Sequence, residues 1–373
     1  MLKIGFDAKR LFHNFTGLGN YSRTLLHNLA LQFPQNEFHL YSPPTKKKAT
    51  TASFFDNTDY QLHFFKNRGS NYWRTFGVKK DLKKSGIQIF HGLSNEIPLG
   101  ISQIGVKSIV TIHDLIFKKY PRYYSLLDRK IYDAKFRYAC KNADIVIAAS
   151  EHTKRDIAHY YNIPLSKIRV IYQTCNKVFH QEFSPKQAAQ FFKKYELPPQ
   201  YLLYAGAIIE RKNLLGIIKA LEILPENLRI PLIVVGKGKG YEAKVRRCLA
   251  RKKLKKCVHF LAEIGLEELA MLYQNAQVFL YPSFYEGFGI PIIEAMFSKT
   301  PVLTSPLSSL PEVAGKGALF AAPDKPEQIA DGIDKILTNS DLREKLIENG
   351  WKHVQKFRAE KVTREVMDLY ENA

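Results

Sequence analysis

The feature that most constrains the fold is a rhythm along the chain. Short runs rich in β-branched and aromatic residues alternate with longer runs whose apolar residues recur every three or four positions. In the first half the strand-like runs are Lys3–Asp7, Phe38–Ser42, Ile87–His91, Ser108–Ile112, Ile145–Ala149 and Ile168–Tyr172, with helix-like runs at Tyr21–Leu31, Arg129–Lys141 and Glu151–Tyr160. A helix between two strands carries the chain back to its starting edge, so successive strands run parallel. The expectation is an α/β fold, a doubly wound sheet with helices on both faces.

The rhythm lapses between Phe179 and Gln200, a polar stretch with Pro185 and the Pro198-Pro199 pair, which reads as a connection between domains. It then restarts. Strands are expected at Tyr201–Ala207, Leu232–Val235, His259–Leu261, Val278–Tyr281 and Pro301–Thr304, and helices at Asn213–Leu224, Tyr241–Lys253, Leu266–Asn275 and Pro291–Phe297. Asp341–Tyr370 is helical with no strand after it, so it must pack on what is already built. The expected organisation is a first domain at 1–180, a second at 181–350 and a returning helix at 351–373. Two such domains in tandem would face each other across a cleft reached by the carboxyl ends of both sheets.

Composition narrows the function classes. Hydrophobic residues make up 45% and charged residues 24% of the 373, an ordinary globular balance that excludes disorder as the main state. No apolar run approaches the roughly 20 residues needed to cross a bilayer. The start, Met-Leu-Lys-Ile-Gly-Phe-Asp, reads as a strand and not a signal peptide, so a cytoplasmic location is expected. The cysteines Cys140, Cys175, Cys248 and Cys257 lack metal-ligand spacing, so neither a disulfide framework nor zinc is expected. Charge is lopsided: 28 basic against 12 acidic residues up to His180, and 28 against 23 beyond it. A first half that positive should draw a polyanion, either nucleic acid or an anionic membrane face, unless it is simply a solvated basic surface.

Four loops at strand ends are candidates to hold a ligand. Thr16-Gly17-Leu18-Gly19-Asn20-Tyr21-Ser22 combines glycine freedom with a helix start that offers unpaired amides to an anion. It lacks the third glycine of a dinucleotide fingerprint, and no acid follows the second strand, so a dinucleotide cofactor is disfavoured. Gly206 to Asn213 ends in Arg211-Lys212-Asn213, with Asn213 as a natural N-cap. Cations beside the positive end of a helix are unfavourable unless an anion lies between them, and a diphosphate would serve. A surface pairing with Glu210 is the plain alternative. Gly236-Lys237-Gly238-Lys239-Gly240 matches a nucleotide fingerprint only in part.

The most informative stretch is Glu286-Gly287-Phe288-Gly289-Ile290-Pro291-Ile292-Ile293-Glu294. Pro291 starts a helix, Glu294 is expected in its first turn, and Glu286 in the loop before it. The amides of Phe288, Gly289 and Ile290 would point outward. Carboxylates accept from hydroxyls and amides donate to phosphates, so this corner suits a ribose, a sugar and a diphosphate together. Dipole compensation is the bland role for Glu294. One further polar pair, His113-Asp114, ends a strand in the first half, where a histidine can meet a sugar hydroxyl or serve only structure.

With the Glu286–Glu294 core, Arg211-Lys212-Asn213 and the Gly17-x-Gly19-x-Tyr21 loop in this order, the chain resembles the retaining glycosyltransferases of family 4 over nearly its whole length. The resemblance implies the GT-B fold of two facing Rossmann-like domains. It also implies donor-diphosphate binding by Arg211 and Lys212, ribose binding by Glu294, and a sugar hydroxyl on Glu286. His113 would lie beside the donor sugar, and backbone near Glu263 and Ile264 would meet the base. Transfer would retain anomeric configuration and need no metal or cofactor, in keeping with the absence of an Asp-x-Asp motif. Greatest similarity is to bacterial mannosyltransferases of surface polysaccharide, making GDP-mannose the first expected donor and a UDP-sugar the second.

Where many relatives have Asn-Gly-Val-Asp, this chain has Gln173-Thr174-Cys175-Asn176, a departure at the donor edge. The family's first domain holds the acceptor, here a glycan or a glycan on a lipid diphosphate. Two clusters that mix aromatic and basic residues, Tyr72 to Phe76 with Lys79, Lys80, Lys83 and Lys84, and Lys118, Lys119, Arg122, Tyr123 and Tyr124, would place the protein peripherally on the anionic inner leaflet, unless the Trp73 region is an ordinary amphipathic helix whose aromatics face the core. The competing readings are a nucleotide-sugar epimerase on the same scaffold and a basic nucleic-acid-binding protein. For the second, no recognised binding module is present.

Overall fold

The structure, a computed structural model, describes residues 1–65, 72–252, 254–262 and 264–373. These form two compact units, Met1–Thr174 with Arg358–Ala373, and Cys175–Phe357.

The described residues of the first unit build a seven-stranded parallel sheet from β1 (Lys3–Asp7), β2 (Glu37–Ser42), β3 (Tyr60–Phe64), β4 (Ile89–Gly92), β5 (Lys107–Ile112), β6 (Ile145–Ala148) and β7 (Ile168–Val170), in the order β3-β2-β1-β4-β5-β6-β7. Pairing runs in register from Lys3 opposite Glu37 to Asp7 opposite Tyr41, and from Ile4 opposite Ile89. Strand order reverses at β1 and β4, so ligand-binding loops are expected at the carboxyl ends of those strands. One apolar cluster includes Ile4, Phe6, Leu25, Leu29 and Phe38, together with Val362, Val366, Met367 and Tyr370 of the last helix, Ala359–Glu371. Their spacing of four, one and three residues is the stripe that an amphipathic helix buries.

Among the described residues of the second unit are six parallel strands, β8 (Leu202–Ala205), β9 (Leu232–Val235), β10 (Val258–Leu261), β11 (Val278–Tyr281), β12 (Val302–Thr304) and β13 (Ala318–Phe320), in the order β10-β9-β8-β11-β12-β13. Residues of β8, β9 and β11 are buried throughout, which is why those strands read as unbroken apolar runs.

The boundaries differ from expectation. The chain passes to the second unit after Thr174, not after residue 180, and returns at Arg358, not at 351. Phe179 is buried edge-on against Tyr273, and Phe357 edge-on against Phe288, so both ends are anchored inside the second unit. The supposed connection is likewise folded: Pro185–Lys194 is a helix with a Ser184–Gln187 capping box and a buried Phe191. The final helical stretch is two helices, Ser340–Val354 and Ala359–Glu371, separated by the Gln355–Phe357 turn and extended Arg358.

Candidate active site

The second unit gathers Arg211, Lys212 and Glu286 at the carboxyl ends of β8 and β11. Arg211 Nη1 lies 2.7 Å from Glu286 Oε1, and Lys212 Nζ lies 3.7 Å from the same oxygen. The Tyr281 hydroxyl donates to that oxygen at 2.9 Å and accepts from Lys212 Nζ at 2.6 Å. Arg211 also donates to the Tyr285 carbonyl. All three charged side chains are at most 15% exposed. Burial alone would raise the Glu286 pKa, but the two cations hold it down to about 2. For Lys212 burial dominates and lowers the pKa, with Glu286 opposing the shift. Among the described residues, Arg211 and Lys212 thus both lie against the ionised Glu286, an arrangement of cations that suits an anionic ligand.

Close backbone approach makes this possible. Gly206 has φ +141°, and a Cβ there would come within 2.9 Å of Lys212 Nζ. A Cβ on Gly236 at φ +144° would fall 2.0 Å from the Gly206 carbonyl, so the loops after β8 and β9 can touch only as glycines.

Glu294 lies in the helix Ile290–Phe297, one residue beyond its first turn. Its Oε2 accepts from the Tyr273 hydroxyl at 3.0 Å. Burial pushes its pKa up to about 7, against the Tyr273 bond and the Lys212 charge. Dipole compensation in a first turn is therefore not its role. Gly289, at φ +120°, precedes the helix, and neither its amide nor that of Ile290 has an acceptor among the described residues. Phe288 turns its ring inward onto Phe357. Ser308 Oγ accepts from the Glu286 amide at 2.9 Å, and Ser309 Oγ lies 2.9 Å from the Glu286 carbonyl and 2.7 Å from that of Phe288. Ile264 is half-buried just past β10. Glu263 lies outside the described residues.

Two local expectations need correction. Asn213 does not cap the next helix: it sits at φ +61° and its side chain donates to Pro323 O at 2.6 Å. The side chain lies against Gly216 in the first helical turn, where a Cβ would come within 2.5 Å of Asn213 Nδ2, but it makes no hydrogen bond to the helix's amides. The Gly17–Gly19 segment is not a loop before a helix but the first turn of the helix Gly17–Gln32. Asn14 Oδ1 accepts from the Gly19 amide at 3.1 Å, so that amide is already committed. A Cβ on Gly19 would lie 1.7 Å from the Asn14 carbonyl, whereas Gly17 is open. Of the two, only the Gly17 amide lacks an acceptor among the described residues.

In the first unit His113 follows β5 and is buried. Its Nε2 lies 2.9 Å from the Leu93 carbonyl, and its Nδ1 2.9 Å from the Gln173 amide nitrogen. A carbonyl only accepts, so Nε2 carries the proton and Nδ1 accepts from Gln173. Burial lowers the His113 pKa to about 4, the Leu93 bond opposing it, so the ring is neutral at ordinary pH. Sequence reasoning missed Tyr281 and Tyr273, since tyrosines in apolar strands and helices look like core. It singled out Gln173 only as a departure at the donor edge.

Comparison with known proteins bears on this arrangement. Residues 186–353 match the family described as glycosyl transferases group 1, and residues 16–176 match glycosyltransferase family 4. The chain is 27% identical to O-antigen chain mannosyltransferase B of Escherichia coli across 99% of both chains. It is 33% identical to the O-antigen chain mannosyltransferase RfbU of Salmonella typhimurium over 61% of this chain and 60% of that one. Among solved structures, HepE of Anabaena in complex with UDP and glucose superposes with a TM-score of 0.80 at 15% identity, over 100% of both chains. WaaG, a glycosyltransferase involved in lipopolysaccharide biosynthesis, does so with a TM-score of 0.76 at 20% identity, over 99% of both. The fold shared with these proteins is GT-B.

Proposed function

Because the chain belongs to the group 1 and family 4 glycosyltransferases, we propose that it moves mannose, from GDP-mannose, to a glycan or a lipid-linked glycan with retention of configuration. The observation that carries this reading is the Arg211–Glu286–Lys212 cluster, which keeps two buried cations for one carboxylate. Departure of a nucleoside diphosphate builds negative charge, and preorganised cations in a dry site stabilise it without solvent reorganisation. Arg211, Lys212 and the amides of Gly289 and Ile290 take that role, so transfer needs no divalent ion. Glu294 accepts from the ribose hydroxyls. Glu286, ionised and bound to the cations through Oε1, positions them and accepts from a sugar hydroxyl. Neutral His113, its ring fixed on both sides, is the first unit's candidate contact for a sugar.

Mannose as the sugar rests on the O-antigen mannosyltransferase relatives. A UDP-sugar is the second donor, since HepE holds UDP and glucose. A thermal-shift screen with GDP, UDP and ADP decides the base, because a ligand bound only by the folded state raises the melting temperature. Incubation with GDP-mannose, UDP-glucose and UDP-galactose then separates transfer from epimerisation by product analysis. If no nucleotide shifts the transition and no donor is consumed, the reading is wrong.

The acceptor is carried on the inner membrane face in this reading, and the first unit has surfaces that fit it. No helix among the described residues is long and apolar enough to cross a membrane. Trp73 is buried, but Tyr72 and Phe76 are 70% and 44% exposed beside Lys80, Lys83 and Lys84. Near the second basic cluster, Leu126 and Leu127 are 72% and 68% exposed. Equal sedimentation with anionic and neutral liposomes would sink the membrane contact.

A further inference from the structure

A buried charge network at the carboxyl end of the first sheet has no part in the donor chemistry. Asp7 ends β1, and its Oδ2 accepts from Arg74 Nε at 2.7 Å. Arg74 Nη1 donates to Glu96 Oε2 at 2.8 Å, and Lys135 Nζ donates to that same oxygen at 3.1 Å. Exposure rises outward along the network, from 7% for Asp7 and 12% for Arg74 to 21% for Glu96 and 46% for Lys135. Asp7, Arg74 and Glu96 border a small cavity with Trp73 and Thr75.

Arg74 is delivered by a π-helical turn, Trp73–Gly77. The turn is pinned by the Trp73 indole, which donates to Asp81 Oδ2 at 2.7 Å, and by the Leu99 amide, which donates to Thr75 O at 2.8 Å. Such turns are rare and recur at functional sites. A buried ion pair adds little net stability once desolvation is counted, so stability alone is a poor account of this cluster. Its position, beside the β1–β4 reversal of strand order, is where parallel sheets hold ligands.

The polar atoms left over define the ligand. Arg74 Nε serves Asp7 and its Nη1 serves Glu96, while Nη2, in ion-pair contact with Asp7 Oδ2, is buried without a hydrogen bond among the described residues. Glu96 Oε1 has no partner among the described residues, and the Lys135 ammonium has donors beyond the one given to Glu96. A phosphate would be repelled by that carboxylate oxygen. A hydroxyl donates and accepts at once, and an acceptor beside a donor matches adjacent hydroxyls of a sugar ring. We propose that Glu96 and Lys135 bind the acceptor saccharide through neighbouring hydroxyls, with Arg74 and Asp7 as positioning residues. This rests on the transferase reading and assigns residues to its acceptor side.

The test titrates methyl α-glycosides of mannose, galactose and N-acetylglucosamine as acceptors against wild type, Glu96→Gln and Lys135→Met. Losing a charge-assisted hydrogen bond raises the acceptor KM about tenfold or more in each variant, while the donor KM changes less than about twofold. An acceptor KM within about twofold of wild type, or a donor KM that rises in parallel, overturns the proposal. Lys135 is at the surface, so its variant keeps the test valid should Glu96→Gln fold poorly. If wild type consumes no donor and binds no nucleotide, the transferase reading has failed separately. Saturation-transfer NMR with the same glycosides then decides: signals lost in Lys135→Met support the site, whereas unchanged signals, or none with wild type, refute it.

Discussion

Arg211 and Glu286, far apart in sequence, are joined by a contact of 2.7 Å between a guanidinium and a buried carboxylate. Among the described residues, the same carboxylate is the one that lies within ion-pair distance of Lys212 Nζ, at 3.7 Å. Removing it as Glu286→Gln leaves two buried cations facing each other, which costs about 3 to 5 kcal/mol. Urea denaturation measures the loss, and a nucleoside diphosphate should restore part of it by supplying the missing negative charge. A cost below about 1 kcal/mol would mean that the cluster is not a coupled unit.

Glu294 makes the unliganded protein pH-sensitive. Its folded pKa, about 7, lies above the ordinary glutamate value of 4.5, so the folded state binds the proton more tightly. That contribution is complete below the unfolded pKa and is lost as pH rises through about 7. Denaturation midpoints followed from pH 5 to 8 should fall more steeply in wild type than in Glu294→Gln, by up to about 3 kcal/mol over the range. Parallel curves would place the burden elsewhere.

Two nearby glycines should behave oppositely. Gly17→Ala meets nothing and lies in a helix's first turn, so it is neutral or stabilises by a few tenths of a kcal/mol, roughly 0.4. Gly19→Ala drives a methyl to 1.7 Å from the Asn14 carbonyl and should cost about 3 kcal/mol through displacement of the loop that caps the helix. Thermal denaturation of both variants checks the contrast, and equal effects would refute it.

The last helix is tied to the first sheet by a polar chain. The Tyr370 hydroxyl is 2.7 Å from His91 Nδ1, and His91 Nε2 is 2.8 Å from Thr111 Oγ1, which meets the Tyr21 hydroxyl at 3.1 Å. Burial, with a smaller push from His113, lowers the His91 pKa to about 3, so the ring is neutral and needs one donor and one acceptor. Tyr370→Phe strands one ring nitrogen and should cost about 1 to 3 kcal/mol, whereas Met367→Leu, at nearly constant volume, costs less than about 1.5. Hydrogen exchange localised to Ala359–Glu371 would show whether that helix loosens first.

Much of this was legible in the residue order. The alternation of apolar runs specified parallel sheets in two domains, because a strand buried on both faces has to be continuously apolar. The two strands it failed to mark, Tyr60–Phe64 and Ala318–Phe320, are both sheet edges, where half-exposed residues weaken the signal. The cations and carboxylates of the proposed donor site stood out because charged residues in glycine-rich turns after strands have few structural reasons to be there. Residue order could not set charge states or contacts across the sheet. That Glu286 is held down to about 2 while Glu294 is pushed up to about 7 depends on burial and on which cations reach each one, and the two tyrosines that bind these carboxylates look apolar until the chain folds. Local pattern determines elements, since periodicity is a property of neighbours in sequence. Tertiary structure decides chemistry, since desolvation and charge act between residues that only folding makes neighbours.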